Sequence, residues 1–398
     1  MKKLLVFVSI ILLCSFRVFA EETTLELSEE VAEEAVAGLK PTSWLGKFQN
    51  LRQAWEEKYG TTFAVVINSQ SQVALRSKEN QGQWSAAWYY NVAVEQKLWK
   101  NSSVVFEIEG GHNKGIDRYF STFSIFDSDA GEITYLYVTE FYLKQNFFDE
   151  KLYFVTGRMD LSDWCDTNEV ANSSDTQFLS SSLVDNMTIP FPQKGLGLMA
   201  GVKPFDWFYL QAGASDAKAV STMVGLTDPF KGAFFIAEAG FSPKIGELQG
   251  NYRFIFHANH QRLYFIDGSG SENQDYGFAL SFDQKISDQV TLFLRYGFAD
   301  EEVRIIKNFW STGMELVGPI PGRENDVLGL GIAQSIAGED YRKENGSVQA
   351  ETMYEVYYNL SLHPFVKLIP NLEIVTNPLA EKHSGVDIVT GARLVVIF

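Results

Sequence analysis

The sequence predicts an all-β protein: a transmembrane antiparallel β-barrel of about 16 strands, preceded by a short N-terminal periplasmic helix. Three observations predict it. Apolar and polar residues alternate with a period of two through nearly everything after Thr61. The links between the alternating segments are short and long in strict turn, the pattern of periplasmic turns and external loops. Aromatic content is 14%, with 31 Phe and 17 Tyr, yet no apolar run after residue 20 is long enough for a membrane helix. A soluble sandwich or solenoid can also alternate, so the faces of the strands must decide.

Residues 1–20 read as a secretory signal, with Lys2 and Lys3 ahead of the apolar run Leu4 to Phe16 and Val18-Phe19-Ala20 as cleavage site. Cys14 does not suggest a lipid anchor, because Leu13 stands where such sites take a small residue. Cleavage removes Lys2, Lys3 and Arg17 and takes the formal charge from −17 to −20. That balance argues against nucleic acid as a partner, since phosphate binding needs a basic footprint. It also argues against a channel tuned for anions. Cys165 is then left without an intrachain disulfide partner.

Residues 21–60 read as an acidic arm and a short amphipathic helix. Trp44, Phe48, Leu51 and Trp55 share a helical face, Ser43 suits the N-cap, and Gly60 follows the pattern. That apolar face is expected to pack near the barrel mouth or the membrane interface.

Residues 61–398 form the barrel. Strands are expected near 61–75, 84–98, 102–112, 133–147, 151–160, 195–203, 207–215 and 231–242. Eight more follow near 247–259, 274–286, 289–299, 308–318, 325–336, 350–362, 365–376 and 386–398. Taking 299–325 as one loop would leave an odd count and place the ends on opposite sides; a strand from Asn308 to Gly318 restores an even one. Several strands separate their faces: Tyr276, Phe278, Leu280 and Phe282 oppose Asp275, Ser281 and Asp283, and Tyr252, Phe254 and Phe256 oppose Asn251, Arg253 and His257. Sixteen strands enclose too wide a lumen for side chains alone to fill, which favours a water-filled channel. The closing strand, VDIVTGARLVVIF, puts Asp387 and Arg393 on the lumen side and Phe398 toward lipid at the periplasmic rim.

The longest external link, 161–194, is the third, and loops of that length are usually functional. It carries Asp163, Asp166, Asn168, Asn172 and Gln177 with Trp164, Phe178 and Phe191. Neutral sugars are held by hydrogen bonds to carboxylates and amides and by aromatic rings against their C–H faces. The bland alternative is that these groups cap turns and anchor the loop to the wall. Other motifs carry no chemistry. His257 and His260 point to opposite strand faces, so no metal site is expected, and no Ser/His/Asp grouping stands out. Neither an enzyme nor a cofactor is expected.

The run GRMDLSDWCDTNEVANSSDTQFLSSSLVDNMTIPFP (157–192) resembles the corresponding segment of the carbohydrate-selective porin family of the OprB type. NVAVEQKLWKNSSVVFEIEGGHNKG (91–115), GPIPGRENDVLGLGIA (318–333) and EVYYNLSLHPFVKLIPNLEIVTNP (355–378) are similar to it as well. Trp164-Cys165 departs from the aromatic pair more usual there. The resemblance implies a bacterial outer-membrane porin for passive, selective diffusion of monosaccharides such as glucose, through a lumen narrowed by the third external loop. Its partners would be small-molecule sugars and outer-membrane lipid, as a homotrimer or a monomer. Candidate constriction residues are Glu109, His112, Arg158, Asp160, Asp163, Asp166, Asn168, Asn172 and Gln177, with Arg253 and Arg295 on inward faces elsewhere. Arg158 and Asp160 share a strand face, taken as the lumen side because the opposite one carries the apolar Tyr153, Val155 and Met159. The alternatives are a general or cation-leaning diffusion porin, suggested by the acidic charge, and a barrel acting as an adhesin or lipid hydrolase.

Overall fold

The computed structural model describes residues 44–112, 115–128, 136–220, 232–346, 349–382 and 385–398. The expected signal at 1–20 and the acidic stretch that follows it lie outside them. Among the described residues one helix, α1 (Trp44–Tyr59), precedes the strands. The first half of the wall is β1 (Thr61–Arg76), β2 (Trp84–Trp99), β3 (Ser102–His112), β4 (Tyr137–Phe147), β5 (Leu152–Met159), β6 (Gly195–Phe205), β7 (Phe208–Asp216) and β8 (Ala233–Phe241). The second half is β9 (Leu248–His260), β10 (Asp275–Lys285), β11 (Val290–Ala299), β12 (Ile306–Val317), β13 (Val327–Ala337), β14 (Ala350–His363), β15 (Val366–Thr376) and β16 (Val386–Ile397).

Each strand pairs antiparallel with its neighbours, and β1 pairs with β16 from Val66↔Ile397 to Gln72↔Gly391, so the sheet closes. The backbone of Phe398 completes the seam, exchanging hydrogen bonds with Val65, while its ring stacks on Phe365. Closure leaves no open sheet edge, which a lipid environment would not tolerate. The disputed segment 299–325 holds β12 and a turn stiffened by the Arg323–Asp326 ion pair at 2.7 Å.

The alternation decides which face meets lipid. Phe154, Leu198, Leu210, Phe254, Phe278, Leu294, Tyr354 and Leu394 are exposed on the outside. Their neighbours in sequence Arg253, Arg295, Glu355 and Arg393 are buried within, as are Glu238 and Ser281. A soluble sandwich would reverse this arrangement; a band of large outward apolar groups belongs in a bilayer.

In the helix Leu51 is exposed, and among the described side chains Gln49 and Arg52 are buried, with the Arg52 guanidinium 5.9 Å from the Phe63 ring. Glu56 pairs with Lys97 of β2 at 3.6 Å.

Candidate functional site

The third external link, 161–194, meets inward-facing residues on strands all round the wall. Two buried arginines hold its middle. The Arg295 guanidinium (β11) donates to the carbonyls of Ala171 (2.6 Å), Leu183 (3.0 Å) and Asp166 (2.8 Å) and pairs with the Asp166 carboxylate at 3.3 Å. Arg393 (β16) donates to the carbonyls of Ser174 and Gln177. Both arginines are 0% exposed. A buried guanidinium persists only with its planar fork of donors satisfied, and here loop carbonyls do most of that.

Strand carboxylates take the loop's backbone N–H groups. Glu355 (β14) accepts from Leu179 at 2.8 Å and Ser180 at 3.0 Å, and Glu238 (β8) from Asp166 at 2.9 Å. Asn359 donates to the Thr176 carbonyl, and Asn68 and Tyr89 reach the Asp175 carboxylate. Phe178 packs edge-on against Tyr357 and beside Phe293. Two inward glycines make room for the loop. A Cβ on Gly331 would lie 2.8 Å from Phe178 and Leu183, and one on Gly297 would lie 2.0 Å from the Thr188 hydroxyl. Residues 115–128 of the second external link add a layer, with Ser124 N donating to Glu351 at 2.7 Å and Ile125 N to the Ser181 hydroxyl at 3.1 Å.

The two ends of the loop sit differently. Lys194 reaches Glu109 at 2.8 Å and Glu107 at 3.0 Å on β3. Asp160 N donates to Glu140, and the Asp163 carboxyl is hydrogen-bonded to Glu140. Burial first, then Glu140 and Asp160, push the Asp163 carboxyl well above the usual carboxylate range. Burial pulls the Lys194 ammonium down, but Glu107, Glu109, Glu140 and Asp163 outweigh it and hold it well above the usual lysine range.

On the periplasmic side of Asp163 and Trp164 lies a chamber of about 520 Å³, bounded by the ends of β4, β5, β6, β7 and β9. Lys144 and Lys203 face Glu150 and Asp206 around it, and Arg253 is paired there with Asp283 at 2.8 Å. Trp164 is stacked on Tyr153 at 5.5 Å, with the Lys144 ammonium 5.6 Å from its ring.

The expected residues therefore divide. Glu109, Asp160, Asp163 and Arg253 lie inward and border the less crowded side. Asp166, Asn168 and Gln177 are buried anchors: Asn168 donates to Ser281 and the Phe282 carbonyl, and the Gln177 side chain accepts from Asn172 N and Ser173 N. The Asn172 side chain accepts within the loop, from Asn168 N. Arg295 is a post for the loop.

Arg158 and His112 are corrections. Phe154 and Thr156 place the even positions of β5 outside, so Arg158 lies on the outer face, its Nε donating to the carbonyls of Val138 and Thr139 where the β3–β4 register shifts. Tyr153, Val155 and Met159 point inward instead, because the folded loop supplies them with an apolar partner in Leu161, Trp164 and Cys165. His112 is exposed and pairs with the outward Trp88; its separation of three from Glu109 puts it on the opposite face. Sequence reasoning missed the roles of Lys194, Glu238, Glu355 and the glycine saddles. The Leu-Gly-Leu-Gly run at 328–331 was a usable signal, since it sets glycine on the inward face at every second place.

A closed antiparallel barrel with apolar residues outside and charged ones within defines a bacterial outer-membrane channel. The family described as "Carbohydrate-selective porin, OprB family" matches residues 106–398. The chain belongs to that family. It is similar to Porin B of Pseudomonas aeruginosa, 24% identical over 363 residues that cover 75% of this chain and 78% of that protein. Porin AaxA of Chlamydia abortus is 22% identical over 224 residues, 56% of this chain and 49% of the relative. Among solved structures, Pseudomonas putida OprB at high pH gives a TM-score of 0.76 at 17% identity, covering 88% of this chain and 97% of that one. Family and fold place the protein in the outer membrane as a carbohydrate porin, a channel rather than an enzyme.

Proposed function

We infer that the protein admits monosaccharides selectively, with residues 161–194 narrowing the lumen. The observation that carries this reading is the anchoring of the loop's middle across the barrel by Arg295, Arg393 and Glu355. A solute then passes beside the two ends of the loop, from Glu109 and Lys194 past Asp163 to the periplasmic chamber. The polar groups along that side let sugar hydroxyls exchange water for protein hydrogen bonds at little net cost, and weak binding lets the sugar leave. Conductance in planar bilayers with added glucose tests it. Glucose should reduce the current in a saturable way; an unchanged current at every sugar concentration overturns the selectivity.

A cation-leaning diffusion porin is the second reading. Glu107, Glu109, Glu140, Asp160 and Asp163 gather around one lysine, which favours cations at the entrance. The reversal potential under a potassium chloride gradient separates the two readings: strong cation preference together with no response to glucose supports the second.

A further inference from the structure

We propose that the periplasmic chamber is a second sugar subsite, in which the ring of Tyr209 carries the apolar face of one hexopyranose. This rests on the sugar-porin reading and goes beyond its constriction. Tyr209 (β7) and Gly240 (β8) pair across the two strands. A Cβ on Gly240 would lie 2.0 Å from the Tyr209 ring, so the ring lies flat on the wall in the space that glycine leaves. Tyr153 lies on Gly201 in the same way, but Trp164 covers its remaining face. Tyr209 lines the chamber and has no such aromatic cover among the described ring contacts. Its hydroxyl donates to Glu238 at 2.6 Å, which fixes the ring's orientation before any solute arrives.

The surroundings suit a neutral polyol. The two lysines are balanced by Glu150 and Asp206, and Arg253 by Asp283, so no ion is strongly drawn in. Gln249, Asn251 and Ser242 supply amide and hydroxyl groups at the rim for equatorial hydroxyls. The volume of about 520 Å³ lies in the range of small-ligand sites and leaves a single hexose room to keep part of its water. A ring face opposed by exchangeable polar groups holds a sugar loosely, as a relay below the constriction requires.

The test is glucose-dependent current noise on the intact protein in planar bilayers, for wild type, Tyr209→Phe and Tyr209→Leu. The phenylalanine variant keeps the ring and should bind glucose as the wild type does; the leucine variant should bind it several-fold more weakly. Wild-type binding with an unaltered leucine variant overturns the subsite while leaving the sugar-porin reading intact. No glucose response in the wild type overturns both. Should the leucine variant not fold, saturation transfer from tyrosine ring protons to glucose C–H protons decides, measured on detergent-solubilised wild type and Tyr209→Phe in which only tyrosine is protonated: weaker transfer in the phenylalanine variant supports the subsite, and equal transfer in the two overturns it.

Discussion

The two sides of the barrel interior are built on opposite principles. From β11 round to β1, the second and third external links fill the space, and Phe126, Phe178, Leu183, Phe293 and Phe309 form a dry core with Val389 and Val395. From β3 to β9 the wall keeps its ionisable groups in clusters and leaves the chamber below Trp164. The difference shows where function resides. On the first side Arg295, Arg393 and Glu355 are spent on loop backbone, whereas on the second Glu107 and Glu109 pair with Lys194 and Arg253 with Asp283, and the chamber lies on that second side.

Breaking the packed side should have the largest effect. Arg295→Met removes donors from three loop carbonyls and leaves Asp166 without its buried partner, a loss of about 3–5 kcal/mol for a pair of this kind. The loop should detach in part, and single-channel conductance should rise several-fold; wild-type conductance in a folded variant would show that Arg295 is not a post. Gly331→Leu attacks the same docking by volume, since even a Cβ there approaches Phe178 and Leu183 to 2.8 Å.

A native thiol reports the same event. Cys165 is 1% exposed, and burial pushes its thiol up, so maleimide should label the wild type slowly and the Arg295→Met protein many times faster. Equal rates in the two proteins would mean that the loop stays docked.

Lys194→Met sharpens the open side. It leaves Glu107 and Glu109 without their cation and should move the reversal potential toward cation preference, with conductance changed less than in Arg295→Met. A shift toward anions would contradict the assignment of Lys194 as counter-ion of the acidic cluster.

The smallest effect is that of pH. Burial first pushes Asp117 and Asp185 up to about 6 and Asp166 to about 7, the last against the pull of Arg295. Undocked, these carboxyls return toward 3.8. Docking therefore binds protons between about pH 4 and 7, so the docked state is favoured in acid, weakens as pH rises through that window and changes little above it. Amide exchange in the loop, compared at pH 4.5 and 7.5 after correction for intrinsic rates, should show stronger protection at the lower pH.

Much of this architecture was legible in the sequence. Period-two alternation marked the strands, and the parity of links placed β12, because a barrel whose ends share one side needs an even strand count. The loop was legible as a long third link, but its anchors were not. Asp166, Asn168 and Gln177 have the composition of a sugar site and serve as ties, because which wall residue faces a loop carbonyl is set by long-range register. Arg158 was misplaced for a related reason. The apolar face of β5 meets protein inside the barrel, so hydrophobicity alone pointed the wrong way.

The most direct measurement is the conductance of a chain in which residues 170–186 are replaced by a short Gly-Ser linker, compared with the wild type under rising glucose. The account predicts a much larger conductance and loss of saturable inhibition by glucose. Unchanged conductance with inhibition intact would contradict it.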